Sequence, residues 1–134
     1  MNILLIAAVL GVLFFGFQLL MVRRMKRNKG KAAPELSGNR GEAVQSGALA
    51  LFYFHSPSCG ACRTMTPVVQ RFTGGKSRCF SVDVSRDMDT ARAFGVMATP
   101  TTVLVEGGII RDFLVGPQPE SRLLPLLEQA GPAL

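Results

Sequence analysis

The strongest chemical signal in this sequence is a pair of cysteines three positions apart, Cys59 and Cys62. A Cys-x-x-Cys unit that follows a strand and opens a helix can form and break an internal disulfide. The first sulfur then lies at a helix N-terminus, where unpaired N–H groups and the helix dipole favour its thiolate. A thiolate stabilised in this way is a nucleophile near neutral pH. The second cysteine lies one turn further on, close enough to attack a mixed disulfide and release the product. Gly60 and Ala61 between them are small, so a partner's disulfide can approach. The expected roles are attack by Cys59 and resolution by Cys62.

Other groups in the sequence could bind a metal or tune the pair. His55, Cys59, Cys62 and Cys79 make a nominal Cys₃His zinc set. No second Cys-x-x-Cys accompanies them, and Cys79 opens a strand, where a small core residue is the simpler reading. The expectation is therefore no metal, with a small metal-binding protein kept as an alternative. Three cysteines are too few, and odd in number, for a disulfide-stapled scaffold. His55 reads as a solvated loop histidine, or else as a charge that tunes the pair. Tyr53, Met65 and Met97 read as packing. No nucleotide, flavin or haem motif is present, so the Cys59–Cys62 disulfide is the only redox group expected.

The elements that must position the pair are legible around it. Ala48 to Phe54 is a short apolar run rich in aromatics, which favours a buried strand. A helix follows from Cys59 to about Phe72, with Met65, Val68, Val69 and Phe72 at helical spacing and Pro67 inside it. Cys79 to Val84 alternates, placing Phe80, Val82 and Val84 on one face. Asp87 to Phe94 reads as a helix stopped by Gly95. Thr101 to Val105 and Ile109 to Val115 read as strands joined by a turn at Glu106-Gly107-Gly108. A last helix runs from about Glu120 to Gln129, with Pro125 inside it. The order predicts an α/β fold with a central four-stranded mixed sheet flanked by helices on both faces.

Before this unit stands a segment of a different kind. Ile3 to Val22 is twenty residues with one polar side chain, Gln18. As a helix it spans about 30 Å, the thickness of a bilayer's hydrocarbon core. A cleaved signal peptide would begin with a basic stretch and end in a small-residue cleavage site. Here Arg23 and Arg24 follow the apolar run directly, so a retained single-pass anchor is expected. Residues 23–47, rich in Lys, Arg, Gly and Ser, read as a basic juxtamembrane segment and linker with a short helix near Gly41–Ser46. The division expected is thus an anchor over 1–22, a linker over 23–47 and a folded domain over 48–134.

The net charge of +6 belongs to this flank. Arg23, Arg24, Lys26, Arg27, Lys29 and Lys31 supply six of fifteen basic residues, and the nine left over balance nine acidic ones. No nucleic-acid-binding face is expected. Because the cations follow the span, the positive-inside rule puts the soluble domain in the cytoplasm, with an extracytoplasmic domain as the alternative.

The segment Phe52 to Pro67, FYFHSPSCGACRTMTP, resembles the active-site stretch of the thioredoxin family. The five-residue step from Cys62 to Pro67 matches the family's pattern. So does Ala98-Thr99-Pro100-Thr101, which is similar to the loop whose proline is cis and lies against the active-site disulfide. The resemblance runs from about Ala48 to Ala130. It implies a thioredoxin-like fold and a thiol–disulfide oxidoreductase, and the expected cytoplasmic placement makes a protein-disulfide reductase the reading over an oxidase. The partners implied are protein thiols and disulfides together with an electron donor or acceptor that the residues do not identify. It further implies that Pro100 is cis and that Thr99 offers backbone groups to an extended substrate chain. The chain departs from the family at several points. Ser58 stands where a Trp is usual, and the dipeptide is Gly-Ala rather than Gly-Pro. Tyr53 replaces a buried acid and Ser81 its partner lysine. The first strand and most of the first helix of the family have no counterpart here. A docking or assembly module without redox turnover is the alternative these departures leave.

Overall fold

The computed structural model describes residues 2–74 and 77–131. It contains α1 (Ile3–Lys26), α2 (Gly38–Gln45), β1 (Ala50–His55), α3 (Cys62–Gln70) and β2 (Cys79–Asp83), followed by α4 (Met88–Phe94), β3 (Thr101–Glu106), β4 (Ile109–Val115) and α5 (Glu120–Ala130).

The strands form one sheet in the order β2-β1-β3-β4. β1 runs parallel to β2 and antiparallel to β3, and β3 is antiparallel to β4. The sheet is mixed, as expected, but its antiparallel part extends inward to the β1–β3 pair and is not confined to the closing hairpin. Gly107 and Gly108 make that hairpin, with φ of 62° and 76°. Both values lie in the left-handed region that a two-residue turn of this type demands and that glycine adopts without strain.

Alternation along the strands divides the core in two. Phe52 and Phe54 of β1, Val82 of β2, and Val103 and Val105 of β3 face α2 and α4, where they meet Ala43, Ala91 and Phe94. Phe52 packs on Phe80 and Phe94 at centroid separations of 5.2 and 4.9 Å. Leu51 and Tyr53 of β1 point the other way, into a second cluster with Met65 and Val69 of α3 and Leu123 and Leu127 of α5. β1 is buried on both faces, which explains its unbroken apolar run. Burying each of these large side chains contributes about 1.5–3 kcal/mol.

The helix after the cysteines begins at Cys62, not at Cys59. Residues 59–61 form a tight turn in which Arg63 N–H donates to Gly60 O. Pro67 is accommodated within α3, and Pro125 within α5. Asp87 caps α4, accepting from Thr90 N–H, and Gly95 ends it with φ of 75°.

The segment read as a linker is more ordered than its composition suggests. α1 continues through the first cations to Lys26. The chain then lies along the free edge of β4: Gly30 N–H donates to Ile110 O, Ile110 N–H to Lys31 O and Ala33 N–H to Gly108 O, at 2.8–2.9 Å. An edge strand offers unpaired backbone groups to any extended chain that reaches it. α2 begins three residues earlier than the sequence suggests, and Arg40 ties it to the α4 cap through a 2.7 Å ion pair with Asp87. α1 itself is apolar and unburied, with a mean hydropathy of 2.7 over its most apolar stretch, and is long enough to cross a membrane.

Candidate active site

β1 delivers the chain to the site and α3 carries it away. After His55, a turn closed by Cys59 N–H donating to Ser56 O brings Cys59 to the mouth of α3. Cys59 and Cys62 are joined in a disulfide with their Cα atoms 5.4 Å apart, within the range such bridges span without backbone distortion. The two sulfurs have different surroundings. Cys59 is half-buried between exposed Ser58 and Gly60. Cys62 is 2% exposed, beneath the first turn of α3. Cys62 N–H, one of the unpaired donors of that turn, points at Cys59 Sγ at 3.2 Å. A donor so placed stabilises negative charge on the first sulfur. Gly60 and Ala61 are both exposed, leaving the approach to Cys59 open.

The Thr99–Pro100 peptide bond is cis, as the resemblance implied. Pro100 is buried and Thr99 half-buried. Phe54 of β1 pairs with Thr101 of β3. The loop entering β3 therefore emerges at the same end of the sheet as the turn leaving β1. Pro100 O accepts from Gly116 N–H at 2.8 Å, and Thr101 Oγ1 donates to Ala98 O at 2.7 Å, which tie this loop to its neighbours.

Beneath the disulfide lies a polar arrangement that sequence reasoning missed. The Tyr53 hydroxyl, read only as packing, donates to Cys62 O at 3.3 Å and shares a 2.9 Å hydrogen bond with Thr66 Oγ1. Burial pushes the Tyr53 phenol pKa up, partly opposed by Thr66. Thr66 lies four residues past Cys62, on the same face of α3, and that spacing is the one signal by which the sequence could have suggested it. His55 is not a solvated loop residue. It ends β1, is half-buried, and its ring stacks on Tyr53 with centroids 5.3 Å apart and planes 16° from parallel. His55, Cys59, Cys62, Arg63 and Thr66 line one shallow groove of about 340 Å³. A larger depression of about 490 Å³, lined by Lys29, Asp112, Gln118 and Arg122 among others, contains no cysteine.

Cys79 does not join the site. It is buried in the second core cluster, and loss of hydration there raises its thiol pKa to about 12, leaving it an inert core residue. Among the described residues no three His, Cys, Asp or Glu side chains gather as a metal would require, so the nominal Cys₃His set does not assemble. Asp83, the register partner of His55 on β2, has its carboxyl held below the usual range. The Ser85 hydroxyl is the main cause, followed by Ser85 N–H, His55 and Arg86.

A cysteine poised to carry negative charge, bonded to a second cysteine buried behind it, can exchange disulfides and close again on itself. Comparison with known proteins agrees with this chemistry. Residues 36–129 match the family model described as Thioredoxin. The thioredoxin of Staphylococcus haemolyticus is 34% identical over 94 residues, covering 68% of this chain and 89% of that protein. Thioredoxin M4, chloroplastic, of Arabidopsis thaliana is 27% identical over 101 residues, covering 72% of this chain. This chain spans only 52% of that relative's length. Among solved structures, a thioredoxin from Nicotiana alata superposes with a TM-score of 0.55 at 27% identity, covering 70% of this chain and 88% of its own. A mutant thioredoxin from Halobacterium salinarum NRC-1 shares the fold with a TM-score of 0.58 at 24% identity, covering 80% and 95%.

Proposed function

This chain belongs to the thioredoxin family, and from that premise we propose that it is a membrane-tethered thiol–disulfide oxidoreductase in which Cys59 attacks and Cys62 resolves. The fold and its Cys-x-x-Cys disulfide support oxidoreductase activity on protein thiols and disulfides in general. The observation that carries the assignment of roles is the 3.2 Å approach of Cys62 N–H to Cys59 Sγ, with Cys59 accessible and Cys62 covered.

In the reductive direction the Cys59 thiolate attacks one sulfur of a partner's disulfide. A Cys59–partner bond forms, and the partner's other sulfur leaves as a thiolate. Cys62 then loses its proton and attacks Cys59 Sγ. The internal disulfide forms and the partner leaves reduced by two electrons. A separate donor must reduce the Cys59–Cys62 bond before the next cycle. Gly60 and Ala61 leave room for the partner. Backbone groups of Thr99, beside cis Pro100, hold the partner chain extended against the site.

Residues 3–22 anchor the protein. The length and apolarity of α1 support this reading, and so do the cations that end it. The same cations favour a cytoplasmic domain, where a reducing environment makes reductase work the natural direction.

The test is trapping. Cys62→Ser should accumulate mixed disulfides with protein partners and Cys59→Ser should not; the opposite pattern would reverse the roles. For the anchor, the intact chain should resist alkaline extraction from membranes. An impermeant thiol reagent should reach Cys59 only after the membrane is opened from the cytoplasmic side, and labelling from outside would overturn the orientation.

A further inference from the structure

We propose that His55 is the proton acceptor for Cys62 in the step that resolves the mixed disulfide, a role that rests on the exchange chemistry above. Resolution needs a thiolate at Cys62, yet Cys62 is 2% exposed and cannot readily release its proton to bulk water. A base must lie near it.

Tyr53 is committed to Cys62 O and Thr66 Oγ1, and its burial disfavours the phenolate. Thr66 is a neutral hydroxyl. Arg63 lines the groove as a cation and accepts no proton. From β2, Asp83 faces His55 in register, but it does not line the groove, and its Oδ1 already accepts from Ser85 Oγ and N–H. Arg86 lies beyond Asp83, 3.9 Å from its carboxylate. That leaves His55, the only histidine in the chain and the one groove side chain of a type that takes up a proton near neutral pH.

Its placement suits the task. The ring shares the groove with both cysteines, and the stack on Tyr53 holds its plane against the residue that also grips the Cys62 carbonyl. The step balances. The proton of Cys62 Sγ passes to the imidazole across the groove, and the Cys62–Cys59 bond forms as the Cys59–partner bond breaks. The electron pair leaves on the partner's thiolate, which takes the proton back from the imidazolium.

The experiment uses the full chain in detergent micelles. Reduced protein is mixed with one equivalent of 5,5′-dithiobis(2-nitrobenzoate). The first release of nitrothiobenzoate reports attack by Cys59, and the second reports resolution by Cys62. His55→Gln should leave the first release within about twofold and slow the second at least about tenfold at pH 7. The second release should rise with pH up to neutrality in the unmodified protein and lose that rise in the variant. Added imidazole should restore part of the lost rate. His55→Phe keeps an aromatic ring on Tyr53 and should behave as His55→Gln does. If His55→Phe retained the normal rate and pH profile, His55 would be a packing residue and the proposal would fail; it would fail equally if both variants matched the unmodified protein. Absence of the first release in the unmodified protein would instead refute the exchange chemistry itself.

Discussion

Replacing Tyr53 with Phe removes one hydroxyl and leaves the ring, its burial and its stack on His55 in place. The hydroxyl makes a 2.9 Å bond with Thr66 Oγ1 and a longer 3.3 Å bond to Cys62 O. A buried neutral hydrogen bond contributes about 1 kcal/mol net. Counting the shorter bond in full and the longer at about half gives a loss near 1.5 kcal/mol. For a domain of this size that lowers Tm by roughly 6–12 °C. The groups left behind are not stranded. Thr66 is half-buried on the groove and can reach water, and Cys62 O retains its place in the helical ladder. The loss should therefore not grow to the larger cost of an orphaned polar group. Thr66→Val removes the shorter bond from its other end, so the two changes should not add; the double variant should fall short of the sum by about 1 kcal/mol. The assay is urea denaturation of the full chain in detergent, followed by circular dichroism. Fluorescence is a poor probe here, because Tyr53 is the only tyrosine and there is no tryptophan. Additive losses, or no loss from Tyr53→Phe, would refute the hydrogen-bonded pair beneath the disulfide.

Thr102 Oγ1 is buried with no hydrogen-bond partner, beside Tyr53 in the β1–β3 register. Thr102→Val should raise stability by up to about 1 kcal/mol, and a loss in the same denaturation assay would show that the hydroxyl is paired. The Asp87 carboxyl is held below its usual range by Arg40 first and by Thr90. A depressed folded value makes its contribution fully present above the unfolded value of about 3.9 and lost as pH falls through the folded one. The urea midpoint should therefore decline below about pH 4, and Asp87→Asn should flatten that decline while lowering the midpoint at neutral pH. An unchanged acid limb would remove the Arg40–Asp87 tie from the account.

Where local chemistry decides an element, the sequence reveals it. Asp87 and Gly95 bracket α4 by capping, Gly107 and Gly108 set the hairpin, and the alternation of Phe80, Val82 and Val84 sets the face of β2. The start of α3 was less legible, because the turn over Cys59 to Ala61 is closed by backbone bonds that place no demand on residue type. Residues 30–33 read as tether for the same reason. Pairing with β4 uses only their N–H and C=O groups, so a polar composition gives no warning of it. The antiparallel β1–β3 pair is likewise set by non-local packing. At the site, the Cys59–Cys62 pairing and the cis bond before Pro100 are legible from spacing and resemblance. The use of Tyr53 and the stacking of His55 are not. Both depend on side chains of β1 meeting α3, a tertiary event that no local pattern encodes.

The central claim is that Cys59 and Cys62 form a reversible two-electron pair. The direct measurement is the fraction of each cysteine alkylated after equilibration of the full chain across a graded series of thiol/disulfide buffers. The two cysteines should titrate together, with a tenfold change in the reduced-to-oxidised ratio for each 30 mV or so. Cys79 should not take part, and Cys59→Ser should abolish the transition. A potential near that of thioredoxin, about −270 mV, would fit a cytoplasmic reductase. Thiols that stay reduced across the whole series, or that titrate independently of one another, would contradict the account.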